Sequence, residues 1–229
     1  MIIKDLPQVI TAIGGLGTAA FGLVDAMKVC GGWVNRIGFK GIAAAVIPLT
    51  PPDTVAGQPA NALPQKKVLA TLQANWMNGT DLGSQKSIAK SLIKLNLSPG
   101  NASALATATG VDPQVLSAVA ASIEAGTPLT PAQSDVFARF DMIVTALLDE
   151  AYQRSDQVYR NWTRALAALV AIVLAYLGGS VLADAWLKWG DALGEALLVG
   201  LLATPLAPIA KDLSTALATA VNTMQLVKK

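Results

Sequence analysis

The stretch ALAALVAIVLAYLGGSVLA, residues 165–183, decides the fold class, because it contains no charged side chain. As an α-helix it extends about 28 Å at roughly 1.5 Å per residue, which is close to the roughly 30 Å hydrocarbon core of a bilayer. Its only polar side chains are Tyr176 and Ser180, whereas a buried helix of a soluble bundle usually keeps a polar stripe. We therefore predict a transmembrane helix over these residues.

The composition of the whole chain also favours lipid as the surroundings of its apolar surface. The 229 residues are 53% hydrophobic and 14% charged, with a mean hydropathy of +0.49, whereas soluble domains usually carry about 25% charged residues. The net charge is +2 and aromatic residues make up 5% of the chain, so we predict no nucleic acid as a partner. We predict an all-α integral membrane protein with the lipid bilayer as its first partner.

The residue inventory offers little for catalysis or metal binding. The chain has no histidine and one cysteine, Cys30, which excludes the commonest general base, an intrachain disulfide and a cysteine-based zinc site. Carboxylates are scattered singly, and the adjacent Asp149 and Glu150 point to different sides of a helix. We predict no catalytic residues, no metal site and no cofactor, and therefore no enzyme.

A second apolar segment lies near the N-terminus, between two aspartates. We predict a helix over about residues 6–27 that crosses the membrane or lies in its interface. Small residues recur along this segment at the spacing that lets helix backbones approach closely in lipid. The predicted packing face consists of Gly14, Gly15, Thr18, Ala19 and Gly22.

The same segment also contains the G-x-G-x-x-A spacing of a dinucleotide-binding turn, at Gly15, Gly17 and Ala20. That motif requires a strand before the glycines, a second parallel strand and an acidic residue about 20 positions further on. The chain continues instead into CGGWVNRIGFKG, and Arg36 and Lys40 stand in the region where the acid is required. The helix interpretation is therefore preferred.

A third apolar segment, predicted over about residues 193–210, follows an acidic link. Pro205 and Pro208 each remove a backbone donor and bend a helix there. A crossing is favoured over a re-entrant or in-plane path, and a C-terminal helix follows. Asp25 and Glu195 are candidate intramembrane acids, because ionisable groups within a bilayer are functional candidates by default.

Basic residues set the predicted orientation. They follow the first and third segments and precede the central span, whereas the link of residues 184–195 is acidic. For three spans, the positive-inside rule then predicts that the middle region and the C-terminus are in the cytoplasm and that the acidic link is outside. Trp186 and Trp189 fall at that outer boundary, where indole rings prefer to lie.

Residues 48–130 are predicted to form a Pro-rich linker and a small helical cytoplasmic region, after a basic flank that ends at about residue 47. Helices are expected over residues 65–77 and 84–98, followed by two segments rich in small residues. Asp112 is expected to cap the second of these segments, with Pro113 at its first helical position. Gly126 is expected to end it.

The helix predicted over residues 84–98 is amphipathic and carries lysines on one face. A surface helix packed on its neighbours is favoured over contact with anionic lipid headgroups. Ser87-x-x-Lys90 and Ser91-x-x-Lys94 match the S-x-x-K motif of penicillin-recognising enzymes, but the K-T-G and S-D-N partners of that motif are missing. A repeating polar face is therefore the favoured interpretation.

The longest predicted helix begins after a capping box formed by Thr130 and Gln133. No helix breaker follows before Gly178, so one helix is predicted over residues 131–183, running from the cytoplasm into the bilayer. Apolar residues recur along it at intervals of three and four, a seam typical of packing on a partner helix. The candidate oligomer seam consists of Phe137, Phe140, Val144, Leu147 and Ala151.

The stretch FDMIVTALLDEAYQRSDQVYRNWTRALAALVAIVLAYLGG resembles the FD-x-x-M…Y helix that leads into a transmembrane segment in a family of uncharacterised bacterial inner-membrane proteins. ALLVGLLATPLAPIAKDLSTAL and LGTAAFGLVDAMK are similar to other parts of such proteins, so the resemblance covers about half of the chain. Ala151 and Gln153 depart from the charged pattern of that helix. The resemblance implies a bacterial inner-membrane protein without a known reaction, and it assigns no catalytic residue.

Two functions agree with these features. The favoured one is a non-enzymatic structural or interaction protein, a subunit of a homo-oligomer or of a larger membrane complex. The alternative is a pore-forming or transport subunit whose oligomer encloses a translocation path. Its support is the pair of candidate intramembrane acids and the proline-containing third segment.

Overall fold

The computed structural model of the protein describes residues 6–29, 32–50, 63–182 and 193–207. Eight α-helices and one short 3-10 helix make up the regular structure in these ranges, which contain no strand, and this confirms the predicted all-α class. The bounds are α1 Leu6–Val29, α2 Trp33–Val46, the 3-10 helix Ile47–Leu49, α3 Gln65–Met77, α4 Leu82–Leu95, α5 Ala102–Thr109, α6 Pro113–Glu124, α7 Pro131–Leu182 and α8 Leu193–Ala207.

Three predicted features fall outside the described residues. They are most of the Pro-rich linker (51–62), most of the acidic link (184–192 of the predicted 184–195) and the C-terminal helix (208–229). Cys30 also lies outside these ranges, and Trp186, Trp189 and Pro208 lie within the last two segments.

The chain divides into two units, each with its own internal packing. Met1–Gly32 and Arg160–Lys229 form the first, which we call the apolar unit. Trp33–Tyr159 forms the second, which we call the helical domain. The long helix α7 supplies residues to both units.

Large apolar side chains form the core of the helical domain. They come from all of its helices, and their burial is the main favourable term in its folding. The largest fully buried members are Ile42, Leu49, Leu72, Ile93, Leu105, Leu116, Phe140, Leu148 and Tyr152.

Several helix ends in this domain are where the sequence predicts them. Asp112 Oδ1 accepts hydrogen bonds from the backbone N–H of Gln114 and of Val115 at 2.8 and 3.0 Å. The N–H of Thr130 donates to Oε1 of Gln133 at 2.8 Å, and the N–H of Gln133 donates to Oγ1 of Thr130 at 3.3 Å. Both predicted caps are therefore confirmed.

α7 confirms the prediction of one long helix. It runs without interruption for 52 residues. The sequence between Pro131 and Gly178 contains neither proline nor glycine, so nothing in it disfavours a continuous helix.

The helix α2 is not predicted from the sequence, which reads as a basic flank with scattered glycines. Glycine lowers helix propensity by roughly 1 kcal/mol relative to alanine, but packing overrides that preference here. A Cβ at Gly38 would lie 2.7 Å from Cζ2 of Trp76, so the close approach of α2 to α3 depends on glycine. Nε1 of Trp76 also donates to the backbone oxygen of Asn35 at 2.9 Å.

Candidate functional site

Two of the described helices are long and apolar enough to cross a membrane, namely α1, over Val9–Ala26, and α7. A third helix, α8, is apolar but shorter and extends about 22 Å at roughly 1.5 Å per residue. All of α1 forms a helix, including the residues before Gly15. The strand that a dinucleotide-binding turn requires is therefore not there, and the helix interpretation of the glycines holds.

In the apolar unit most of the buried residues are small and many large apolar residues are exposed, although Val24 of α1 is buried. Its buried small residues are Gly14, Gly17, Ala20, Ala167, Ala171, Ala196, Gly200, Ala203 and Ala207. Its exposed large residues are Val9, Leu23, Trp162, Leu169, Val173, Leu177, Leu193, Leu197, Leu198, Leu201 and Leu202. This distribution is the reverse of the one in the helical domain, where the large apolar side chains are buried.

α1 and α8 approach each other closely at Gly17. A Cβ on Gly17 would overlap the carbonyl group of Ala203 and would lie 3.0 Å from Cβ of Ala207. Ala20, one turn further along α1, is fully buried with Ala203 and with Ala171 of α7. Small residues on all three helices therefore allow backbone-to-backbone contact, which is how helices pack in lipid.

α7 and α8 approach each other in the same way at Gly200. A Cβ at that position would lie 2.6 Å from Cα of Ile172 and 2.7 Å from its backbone nitrogen. Gly200 belongs to a row of small buried residues along α8, the others being Ala196, Ala203 and Ala207. This row is not among the predicted packing faces, although its spacing of four, three and four residues is the signal that marks a helix-packing face.

Most of the packing face predicted on α1 is not used by the described residues. Gly14 is buried, and its carbonyl oxygen accepts a hydrogen bond from Oγ1 of Thr18 at 3.0 Å. Gly15, Thr18, Ala19 and Gly22 are exposed. A Cβ at Gly15 or at Gly22 would meet nothing within 4 Å, so the described part of the chain leaves this face uncovered.

The two candidate intramembrane acids lie near helix ends. Asp25 is in the last part of α1, and Glu195 is in the first turn of α8. Both residues are exposed. A carboxylate in the first turn of a helix is stabilised by the partial positive charge there, which accounts for Glu195 without an intramembrane role.

The candidate oligomer seam of α7 lies in the core of the helical domain. Phe140 and Val144 are fully buried, and Ala151 is buried. Phe137 and Leu147 are partly buried and pack against the same core. Helices of the same chain therefore occupy the seam, so it is not available to another copy.

The lysine face of α4 lies against acidic residues of α7. Lys86 pairs with Asp149, and Nζ of Lys90 and of Lys94 lie 2.6 and 3.0 Å from the two carboxylate oxygens of Asp141. Burial raises the pKa of Asp141, but the hydrogen bonds and charges of the two lysines outweigh it and hold the pKa below its ordinary value. These contacts agree with the surface-helix interpretation.

A groove of about 540 Å³ lies beside these ion pairs, and we call it the α4 groove. Both S-x-x-K pairs face it, but Lys90 and Lys94 donate to Asp141 as ammonium groups. An ammonium group cannot take a proton from a serine hydroxyl, so the arrangement is not that of an activated nucleophile. The lining residues are Ser87, Lys90, Ser91, Lys94, Leu95, Leu97, Ile123 and Phe137.

Among the described residues, no group of three or more aspartate, glutamate or cysteine side chains is placed to hold a metal ion. The features that carry the functional proposals are the apolar unit and the α4 groove. Comparison of the chain with protein-family models, with curated proteins and with solved structures found no match.

Proposed function

We propose that this protein is a non-enzymatic structural or interaction protein of the bacterial inner membrane. In this proposal the apolar unit anchors the helical domain and associates with further copies. The observation that carries the proposal is the distribution of residues in the apolar unit, where small residues are buried and large apolar residues are exposed. Lipid is the solvent in which a surface of this kind is stable.

The exposed leucines indicate how strongly a bilayer is favoured. Leu198 and Leu201 of α8 are 62% and 58% exposed, and Leu169 of α7 is 59% exposed. Transfer of one leucine side chain from water to apolar surroundings is favourable by about 1.5–3 kcal/mol of free energy. Soluble monomers rarely expose contiguous apolar patches of more than a few hundred Å², so exposure on several helices supports insertion.

The proposed topology has three crossings, by α1, by the C-terminal part of α7 and by α8. The basic residues Arg154, Arg160 and Arg164 precede the central crossing and favour a cytoplasmic location for the helical domain and the C-terminus. α8 is short for a crossing, and local thinning of the bilayer makes up the difference. The family resemblance of α7 supports the bacterial inner membrane as the location.

The proposed contact between copies is the uncovered face of α1, formed by Gly15, Thr18, Ala19 and Gly22. These residues are exposed, and a side chain on either glycine would have open space around it. Small residues at this spacing allow two helices to approach closely in lipid. A second copy of α1 offers a matching small face, which supports a homo-oligomer.

The pore or transport alternative has less support. The helices of the apolar unit are in close contact at Gly17 and at Gly200, so a translocation path would have to form between copies. Asp25 and Glu195 lie near the ends of their helices, where a bilayer exposes them to headgroups and water. In the part of the chain that the structure describes, no comparable observation favours a path for ions or solutes.

Extraction from membranes tests the proposal. Vesicles that contain the protein are washed with alkaline carbonate and then with detergent, and both fractions are analysed by immunoblotting. We expect the chain to remain in the pellet after carbonate and to appear in the detergent extract. Release by carbonate alone would contradict membrane insertion.

A further inference from the structure

The α4 groove has no part in the proposed membrane function, and its lining combines polar and apolar side chains. The polar members, all on α4, carry the hydroxyl and ammonium groups of Ser87, Lys90, Ser91 and Lys94. The apolar members are Leu95, also on α4, with Leu97, Ile123 and Phe137, and Ile123 is 50% exposed. A volume of about 540 Å³ lies in the range of small-molecule sites, which is roughly 300–1,000 Å³.

The charges beside the groove do not balance. Lys90 and Lys94 share the single carboxylate of Asp141, so this group of three side chains carries one excess positive charge. The side chains of the two lysines are 30% and 36% exposed, and both residues line the groove. Their ammonium groups therefore retain hydrogen-bonding capacity for an anion, because each has three donors.

We propose that the α4 groove binds a single-chain amphiphilic anion. Its phosphate or carboxylate head lies against Lys90 and Lys94, with hydroxyl contacts from Ser91. Its apolar body lies against Leu95 and Ile123. The ligand is a free molecule in solution, and the proposal goes beyond the membrane function, since the groove lies within the helical domain.

Neither part of such a ligand suffices on its own. An inorganic anion would leave the apolar lining in water, and Leu95 of that lining is 67% exposed. A neutral apolar molecule would bring no counter-charge to the lysines, of which Lys94 lies with Nζ 5.0 Å from the ring centre of Phe137. A molecule that carries both groups satisfies both kinds of lining residue, because charge-assisted hydrogen bonds hold its head and burial of apolar surface holds its body.

The probe for this site is octyl phosphate, and the protein is the full chain in zwitterionic nanodiscs. A reporter cysteine is introduced by Leu95→Cys in a Cys30→Ser background, and its alkylation by N-ethylmaleimide is followed as octyl phosphate is added. Ala118→Cys is the matched control, since Ala118 is exposed on α6 and does not line the groove. Octanol and inorganic phosphate are tested in parallel.

We expect octyl phosphate to slow alkylation at position 95 and not at position 118. Octanol and inorganic phosphate are expected to act at concentrations at least about tenfold higher. Slowing at both positions, at neither position, or equally by octanol would overturn the proposal. None of these results bears on membrane insertion, which is tested separately by carbonate extraction.

Two charge variants are expected to change the affinity for octyl phosphate in opposite directions. Lys94→Gln removes the excess charge and is expected to weaken binding about tenfold or more, whereas Asp141→Asn adds to the excess charge and is expected to strengthen it. Lys66→Gln is the control, because Lys66 is exposed on α3, outside the groove. Circular dichroism verifies that each variant is folded. Equal affinities for Lys94→Gln, Asp141→Asn and the parent chain would contradict an anion site.

Discussion

Gly17 of α1 lies so close to Ala203 of α8 that a β-carbon at position 17 would overlap the carbonyl group of Ala203. The contact joins two helices whose outer surfaces are apolar, and it is made by backbone atoms rather than by large side chains. In water the hydrophobic effect buries large side chains, whereas in lipid close packing of small residues holds helices together. The contact at Gly17 has the small residues that the second rule requires, which supports the proposed insertion.

The first prediction concerns this contact. Gly17→Val places a branched side chain where the carbonyl group of Ala203 lies, so we expect a loss of roughly 1–3 kcal/mol in stability. Thermal unfolding in mild detergent measures it. Gly178→Val is the control, because a Cβ at Gly178 meets nothing within 4 Å. Equal melting temperatures for the two variants would show that α1 and α8 do not pack at this point.

The second prediction concerns association between copies. In a Cys30→Ser background, Ala19→Cys copies are expected to form a disulfide-linked dimer on mild oxidation in membranes, because Ala19 lies on the uncovered face of α1. Val173→Cys is the control, since Val173 is 49% exposed on α7 and outside that face. Adding Gly22→Leu to Ala19→Cys is expected to abolish the dimer. Equal crosslinking at positions 19 and 173 would indicate random collision rather than a specific contact.

The third prediction concerns the pH dependence of the helical domain. The pKa of Asp141 is lowered in the folded protein from the ordinary value of 3.8, so the folded state binds its proton less readily than the unfolded state. The stabilisation of the folded state by the ionised carboxylate is therefore fully present above that ordinary pKa. It is lost as the pH falls through the lower pKa of the folded state. Because these ion pairs are partly exposed, we expect them to contribute at most about 1 kcal/mol to the free energy of unfolding.

Denaturation at a series of pH values between about 6 and 2 measures this contribution. The difference in unfolding free energy between the parent chain and Asp141→Asn is expected to shrink as the pH falls. Asp135→Asn is the control, since the pair that Asp135 forms with Arg139 is longer, at 3.5 Å, and more exposed. A difference that stays constant with pH would mean that the lysines do not stabilise the ionised Asp141.

The fourth prediction concerns Tyr152 in the core of the helical domain. Burial raises the pKa of Tyr152 to about 12, and its hydroxyl oxygen has no hydrogen-bond partner among the described residues. A buried polar group without a partner costs roughly 1–3 kcal/mol, so Tyr152→Phe is expected to leave stability unchanged or to raise it. Chemical denaturation measures the difference. A loss of more than about 1 kcal/mol would imply that the hydroxyl group makes a bond in solution.

Local features of the fold are predictable from the sequence because they depend on neighbouring residues. The Asp112 cap and the Thr130–Gln133 capping box involve partners within three residues, and α7 continues because no helix breaker interrupts it. Amphipathic α4 begins at Leu82 and ends at Leu95, close to the predicted range of 84–98. Intrinsic helix signals decide all of these.

Features that depend on distant residues are not predictable in this way. The spacing of Phe140 and Val144 indicates a packing seam, but it does not say whether the partner is the same chain or another copy. α1 has small residues on more than one side, and the side that packs at Gly17 is chosen by the matching row on α8. α2 forms although its glycines disfavour a helix, because Trp76 and Ser155 pack against them.

The pairing of the lysines on α4 also depends on residues that are distant in the sequence. The sequence shows three lysines on one helix face, and it equally allows lipid headgroups, solvent or acids as their partners. The partners are Asp141 and Asp149, more than 45 residues further along the chain. Only the packing of α4 on α7 decides between these alternatives.

The most direct test of the central claim compares two leucines that are equally exposed in the structure. Leu198 of α8 is 62% exposed and Leu95 of α4 is 67% exposed. Each is replaced by cysteine in a Cys30→Ser background, and membranes opened to both faces are treated with a water-soluble maleimide. We expect Cys at position 95 to be labelled at once, and Cys at position 198 only after detergent dissolves the bilayer. Equal labelling of both positions in intact membranes would contradict the account, because it would mean that water, not lipid, surrounds the apolar unit.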